Sequence, residues 1–347
     1  MRYSAGGYAE LNVTSNFTFL KGASHPHELV SKAHDLGLGA IAITDVNSFA
    51  GIVRAHAAAR ELGIQYLVGV RLVLEDGPDI LAYPKDRAAY GRLCRLLTLG
   101  KRRTTKGACE LYLKDVAAWR EGSVLILTDE PSPDMIKALG AQHIYLNLSP
   151  RYDGRDEVYF KRRTALAKTL GVPAVATGHV LMHKGSRRRL ADILSCIRIH
   201  TTIDKLGLIA LPNSERRLKS EFEMRRLFAA HPEALVNTCK IAQACRFSLD
   251  ELRYEYPDEI TNGEDPQTRL GRLTAEGLVW RYPDGVPLKV QAMVEKELRV
   301  IKELNYARYF LTVYDIVKFA REQNILCLLY TSPSPRDLST SRMPSSA

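Results

Sequence analysis

The sequence predicts an α/β fold: a distorted (β/α) barrel or parallel sheet, followed by a mostly helical part. Two observations carry this. Up to about residue 180, short apolar runs alternate with amphipathic stretches, whereas from Leu211 onward helical spacing dominates. Most of the apolar runs also lack period-2 alternation, as expected of strands covered on both faces. A β-α-β-α rhythm of this kind brings several strand ends together on one face.

The expected strands are 8–14, 40–44, 66–74, 80–83, 124–128, 144–148 and 174–177. A helix over 27–36 follows Ser24 as N-cap, with Pro26 in its first turn. A second, over 49–62, follows Ser48 and stops at Gly63, a usual residue just past a helix end. Further on, Ser220 and Glu223 form a capping box before Met224, Leu227 and Phe228. The next helix, 232–245, spaces Leu235, Cys239 and Ile241 for one apolar face. After a polar stretch over 257–266, residues 288–304 place Val290, Val294, Leu298 and Ile301 at helical spacing. No internal repeat is visible.

Length and composition bound the rest. The 347 residues suggest about two domains, and 46% apolar with 25% charged residues is ordinary for a globular protein. No run of ~18 apolar residues marks a membrane span, and the opening residues lack the apolar segment of a signal peptide. Six scattered cysteines without CxxC spacing read as reduced thiols, so a cytoplasmic location is expected. The net charge of +10 favours polyanionic partners. Basic clusters stand at Lys101-Arg102-Arg103, Arg162-Arg163, Arg187-Arg188-Arg189 and Arg216-Arg217. Each alone reads as a solvated helix face, and together they point to nucleic acid.

Several stretches are specific enough to resemble a family. YAELNVTSNFTFLKGASHPHELV, AIAITDVNSFAGIVRAHAAAREL, LAYPKDRAAYGRLCRLLTLGKRR, RFSLDELRYEYPDE and LNYARYFLTVYDIVKFAREQNILC are similar to error-prone DNA polymerases of the bacterial C family. The likeness runs over roughly 8–327. The replicative relative shares the architecture, but LTLGKRR and RYPDGVP resemble the error-prone paralogue more. The resemblance implies a PHP domain (polymerase and histidinol phosphatase) over 1–210, a distorted barrel related to metal-dependent phosphoesterases. It implies a helical connection and the start of the polymerase palm and thumb over 211–327.

Active PHP domains hold two or three metal ions on His, Asp and Glu at strand ends, clamping a phosphoryl group between them. Here the opening His-x-His positions correspond to Asn12 and Thr14, with Glu10 just before. In AITDVNS, Asp45 is kept but Val46 stands where His is frequent. In LVGVR, Arg71 occupies a position frequently Glu, and a guanidinium repels a metal. Near ATGHVL an Asp-x-His pair is replaced by His179 and Leu181. Asp45, Asp79 and His179 remain as donors without making a closed set. The expectation is therefore a degenerate pocket of Glu10, Asn12, Thr14, Asp45, Arg71, Asp79 and His179 that holds no metal. Arg71 is expected to pair with Asp45 or another pocket carboxylate. Asp45 has the simpler use of capping the turn after its own strand. His25, His27, His183 and His200 read as surface, structural or phosphate-facing groups.

Nucleotidyl transfer needs carboxylates on two Mg²⁺ ions. By resemblance these lie beyond a glycine-rich segment that should follow Cys327. The chain continues instead with Leu328 and a Ser/Pro-rich end, 328–347, which reads as a foreign or disordered tail. No polymerase catalytic residue is then expected in this chain, and the stretch up to 327 should be marginal alone. The implied activity is error-prone synthesis past DNA damage, with Mg²⁺ serving the full-length enzyme. The implied partners are primer-template DNA, the sliding clamp and accessory proteins of a mutagenic complex, and no membrane. The alternatives are a metal-dependent phosphoesterase or exonuclease, and a non-catalytic DNA-binding module.

Overall fold

A computed structural model of the chain describes residues 7–253 and 263–325. The expected break between Cys327 and Leu328, and the tail 328–347, lie outside the described residues. Contacts divide the chain into two units, Met1–Leu252 and Arg253–Ala347.

The first unit holds eight strands among the described residues. They are β1 (Ala9–Glu10), β2 (Ala40–Ile43), β3 (Gln65–Val68), β4 (Val70–Leu72), β5 (Ile80–Pro84), β6 (Ser123–Leu127), β7 (Ile144–Leu148) and β8 (Ala174–Ala176). Helices α1 (Pro26–Asp35) and α2 (Ile52–Leu62) connect the first three strands, which pair in parallel in the order β1-β2-β3. The other five form a second sheet, β4-β5-β6-β7-β8. In its connections lie α3 (Arg87–Arg102), α4 (Leu113–Trp119), α5 (Pro133–Leu139) and α6 (Asp156–Leu170).

The expectation of parallel pairing fails around β5, which runs antiparallel to both β4 and β6. The link from β4 to β5 is too short for a helical crossover, so the chain turns back instead. The expected single strand 66–74 is also two strands, split at Gly69. A Cβ there would lie 2.9 Å from both Thr44 Cγ2 and Tyr83 Cε1, so only glycine lets the chain pass from one sheet to the other. Two bridges join the sheets into a barrel. Arg71 N donates to Asp45 O (3.0 Å), and Val180 N donates to Asn12 O (2.8 Å).

Alternate residues along the strands serve two cores. Ile80 and Ala82 face the layer shared with the helices, whereas Leu81 and Tyr83 join Ala9, Ala40, Leu67, Ile126 and Val175 inside the barrel. At 25 cal/mol per Å², each buried Leu, Ile or Val among them contributes roughly 1.5–3 kcal/mol before the entropy of ordering it.

Past β8 come α7 (Arg188–Arg198), α8 (Glu221–Leu227) and α9 (Pro232–Ala244). Ser220 accepts a hydrogen bond from Glu223 N and Glu223 from Ser220 N, the predicted capping box. Helix α1 is capped differently from the expectation: His25 is its N-cap, and Ser24 instead accepts from His183 N (3.0 Å). Helix α9 belongs to the barrel. Its Ile241, Ala242 and the following Cys245 plug the interior, Asn237 donates to Ala174 O (2.8 Å), and Ala9 N donates to Thr238 Oγ1 (3.1 Å). The contacts thus divide after Leu252, not after residue 210 where the composition shifts. The helices that follow residue 210 pack into the barrel's core.

The second unit has three helices among the described residues, α10 (Pro266–Arg281), α11 (Leu288–Glu303) and α12 (Ala307–Glu322). Leu270, Ala307 and Leu311 form its buried core, with Leu298 and Ile301 packed on it as the helical spacing predicted. Trp280, Leu288, Ile316 and Phe319 are exposed.

Two outcomes are expected. Chain ended after Leu252 should unfold cooperatively by circular dichroism, whereas chain ended at Ala210 strips α9 from the barrel interior and should show no cooperative transition. Amide exchange should be faster throughout α10–α12 than in β5–β7, because so small a core gives little protection.

Candidate functional site

The predicted pocket residues lie on the loops at one end of the barrel. Asn12 and Thr14 follow β1, Asp45 and Val46 follow β2, Arg71 lies in β4 and Asp79 precedes the antiparallel β5. From the other side come Thr128 and Asp129 after β6, Ser149 after β7, His179 after β8, and Arg216 before α8. All of these except Asp45 line a cavity of about 330 Å³. A larger hollow, about 840 Å³, opens at the opposite ends of β1–β3 beside α9 and holds none of the predicted site residues.

Arg71 occupies the centre. Its Nη2 donates to Asn12 Oδ1 (2.7 Å) and its Nη1 to Asp79 Oδ2 (3.3 Å). The expected carboxylate partner is thus Asp79 and not Asp45. The polar chain continues from Asn12 Nδ2 to Thr177 Oγ1 (3.3 Å), which donates on to Asn147 Oδ1 (2.8 Å). Four strands are tied across the pocket floor.

Asp45 is buried and faces away from the cavity lining. It accepts from Ser15 N (2.8 Å), Ser15 Oγ (2.6 Å) and Thr18 Oγ1 (2.7 Å). It therefore holds the β1–α1 loop, and the expectation that it caps the turn after its own strand is corrected. Burial pushes its carboxyl up, opposed by these donors. Glu10 is equally enclosed, accepting from Tyr8 Oη (2.7 Å), Asn12 N (2.9 Å) and Gly178 N (2.9 Å). Burial raises its carboxyl too, against the same donors. A Cβ at Gly178 would lie 2.4 Å from Glu10 Oε2, so the glycine is what admits the carboxylate. Thr14 lines the cavity and donates its backbone N–H to Val180 O (2.9 Å).

His179 has φ +47°, a left-handed conformation uncommon outside glycine and asparagine. Its ring meets Arg216, whose Nη1 lies 2.8 Å from Nδ1. Burial, then the charges of Arg216 and Arg71, hold the imidazole well below the usual histidine range. Arg216 is itself lowered by burial and by the like charge of Arg71. Sequence reading placed Arg216 only in a basic cluster. The one available signal was its place shortly before a capping box, which does not reveal that it turns into the pocket.

These residues do not fit a metal cluster. Asp45 is engaged elsewhere, Asp79 is paired with a guanidinium, and the donor ring of His179 faces another. Among the described residues no group of three His, Cys, Asp or Glu is arranged to hold a metal ion.

Residues 10–179 match the PHP domain family, and residues 268–328 match the family described as the bacterial DNA polymerase III alpha NTPase domain. The chain is 48% identical to the error-prone DNA polymerase of Ruegeria pomeroyi, covering 92% of this chain and 33% of that protein. It is 46% identical to that of Rhodopseudomonas palustris and 45% identical to error-prone DNA polymerase 1 of Rhizobium meliloti, in each case covering 92% of this chain and 30% of the relative. Over nearly all of its length the chain resembles part of an error-prone DNA polymerase. It spans about a third of the length of these relatives. An amidohydrolase from Chromobacterium violaceum is similar over 49% of this chain and 86% of its own, at 16% identity and a TM-score of 0.39.

In the fold the basic clusters separate into individual roles. Arg103 pairs bidentately with Asp115 (2.5 and 2.9 Å), Arg187 with Glu28, Arg188 with Asp192 and Arg217 with Glu223 (2.6 Å). Arg163 is buried, donating to the carbonyls of Asn147 (3.0 Å) and Thr128 (3.1 Å) beside the pocket. No helix among the described residues is long and apolar enough to cross a membrane.

His179 sets a pH dependence. It stays neutral in the fold, so below the ordinary pKa of 6.5 the unfolded chain takes up a proton that the folded chain refuses. Its contribution is full above about pH 6.5 and falls by about 1.4 kcal/mol per unit below it. His179→Asn keeps a residue that tolerates positive φ. Denaturant unfolding at pH 7.5 and pH 5 should show the variant losing about 2 kcal/mol less than the parent over that interval.

Proposed function

We propose that the chain is the front part of an error-prone DNA-directed DNA polymerase that synthesises past damaged template, and that its barrel serves there as a scaffold without phosphoesterase activity. The observation that carries the second half is the Arg71 guanidinium bound between Asn12 and Asp79, in the space a metal cluster would need. The first half rests on 42–48% identity to proteins named error-prone DNA polymerase. On this reading the chain binds no metal ion. Mg²⁺ and the carboxylates that hold it belong to the remaining two thirds of the full-length enzyme, and the chain alone is inactive. Primer-template DNA is the substrate, the sliding clamp and accessory proteins of a damage-induced complex are the partners, and the cytoplasm is the setting.

Two measurements test the reading. The full-length protein with Mg²⁺ should extend a primer past an abasic site, and failure on both damaged and intact templates would remove the polymerase assignment. The present chain, given Mn²⁺ or Zn²⁺, should hydrolyse neither a phosphomonoester nor single-stranded DNA. Cleavage that disappears on changing Asp45→Asn or Asp79→Asn would replace the scaffold with a metal-dependent phosphoesterase.

A further inference from the structure

The cavity at the strand ends is cationic. Its lining sets Lys21, Arg71, Arg151 and Arg216 against Asp79 and Asp129. Burial keeps His179 from adding or answering charge near neutral pH. Arg71 has Asp79, but Arg216 makes no ion pair among the described residues and meets only the His179 ring through its side chain. Arg151 makes none either, its guanidinium lying 4.1 Å over the Tyr159 ring. In the same lining Ser149 is 7% exposed, and its hydroxyl has no hydrogen-bond partner among the described residues.

Like charges held together in a poorly solvated pocket are costly, and a hydroxyl left without a partner there adds to the cost. A cation would worsen both. An anion with several acceptor oxygens answers both at once, because the planar guanidinium fork matches a phosphate and the serine hydroxyl can donate to it. We propose that this pocket binds a phosphate group, free or at the end of a nucleotide chain, on Arg216, Arg151 and Ser149, with Arg71 behind them. Binding makes and breaks no covalent bond. The inference rests on the reading of the pocket as metal-free, and the experiment below lets the two fail separately.

The full chain would be titrated with inorganic phosphate by calorimetry, at ionic strength held constant with sodium chloride. Saturable binding is expected, and phosphate should raise the thermal midpoint of the parent. Arg216→Gln should weaken binding about tenfold or more and abolish the thermal shift. Arg102→Gln, in a basic cluster outside the cavity lining, should bind as the parent does. Should Arg216→Gln not fold in phosphate-free buffer, Arg151→Ala at the exposed rim gives the same reading through weaker binding. Competition by a 5′-phosphorylated oligonucleotide but not by its 5′-hydroxyl counterpart identifies a chain end as the ligand. Competition by pyrophosphate alone identifies the free ion. Non-saturable binding, or equal affinity in parent and Arg216→Gln, overturns the proposal. Mn²⁺ binding that is lost in Asp79→Asn overturns the metal-free reading as well, whereas absence of both Mn²⁺ and phosphate binding overturns the phosphate site only.

Discussion

The Arg71 guanidinium is the group on which the pocket end of the barrel depends. It sits in β4 with only 8% of the residue exposed, so its charge has lost most of its water. Such a charge persists only where donors and acceptors are arranged around it. Asn12 supplies an amide oxygen and Asp79 a partly solvated carboxylate. Because Asp79 keeps contact with water, the ion pair itself is worth little, and its larger effect is positional. It fixes β4 to β1, and through Thr177 and Asn147 to β8 and β7. One side chain thus does mechanically what bound metal ions do in a phosphoesterase: it holds loops from separate strands at fixed spacing.

That substitution makes sense of the neighbours. Asp45 and Glu10 survive as carboxylates, but each is surrounded by donors from its own vicinity and is fully engaged in loop geometry. An acid kept for structure and an acid kept for metal look the same in a motif. Only the donors around it tell them apart. At the strand ends the barrel's polar groups are thus assigned largely to one another.

Much of this was legible in the chain. Apolar runs, most of them without alternation, marked the strands within a few residues, since strands enclosed on both faces carry little polar phase. Glycine at 63 and the Ser220–Glu223 box marked helix ends through local chemistry alone. That Asn12, Thr14 and Arg71 lie together at one pocket was also readable from the sequence. The failures were of another kind. The antiparallel path of β5, the break at Gly69 and the attachment of α9 are set by contacts far apart in sequence. The exact partner of Arg71 was equally hidden, because Asp45 and Asp79 are both plausible by spacing and differ only in which way the loop turns them.

The basic clusters carry the sharpest lesson. A net charge of +10 argues for polyanions, and four runs of adjacent cations suggested where they would bind. In the fold, adjacent residues on a helix or loop point in different directions, so each run divides. Arg162 is exposed beside Glu130 while Arg163 is sunk among strand carbonyls. Arg217 pairs with Glu223 while Arg216 enters the pocket beside a neutral histidine. Charge that is already paired releases few counterions on binding, so a count of lysines and arginines overstates the attraction for DNA. What remains is the charge without a partner. In the barrel unit one such charge is Arg216, which lines the strand-end cavity together with Arg71 and Arg151.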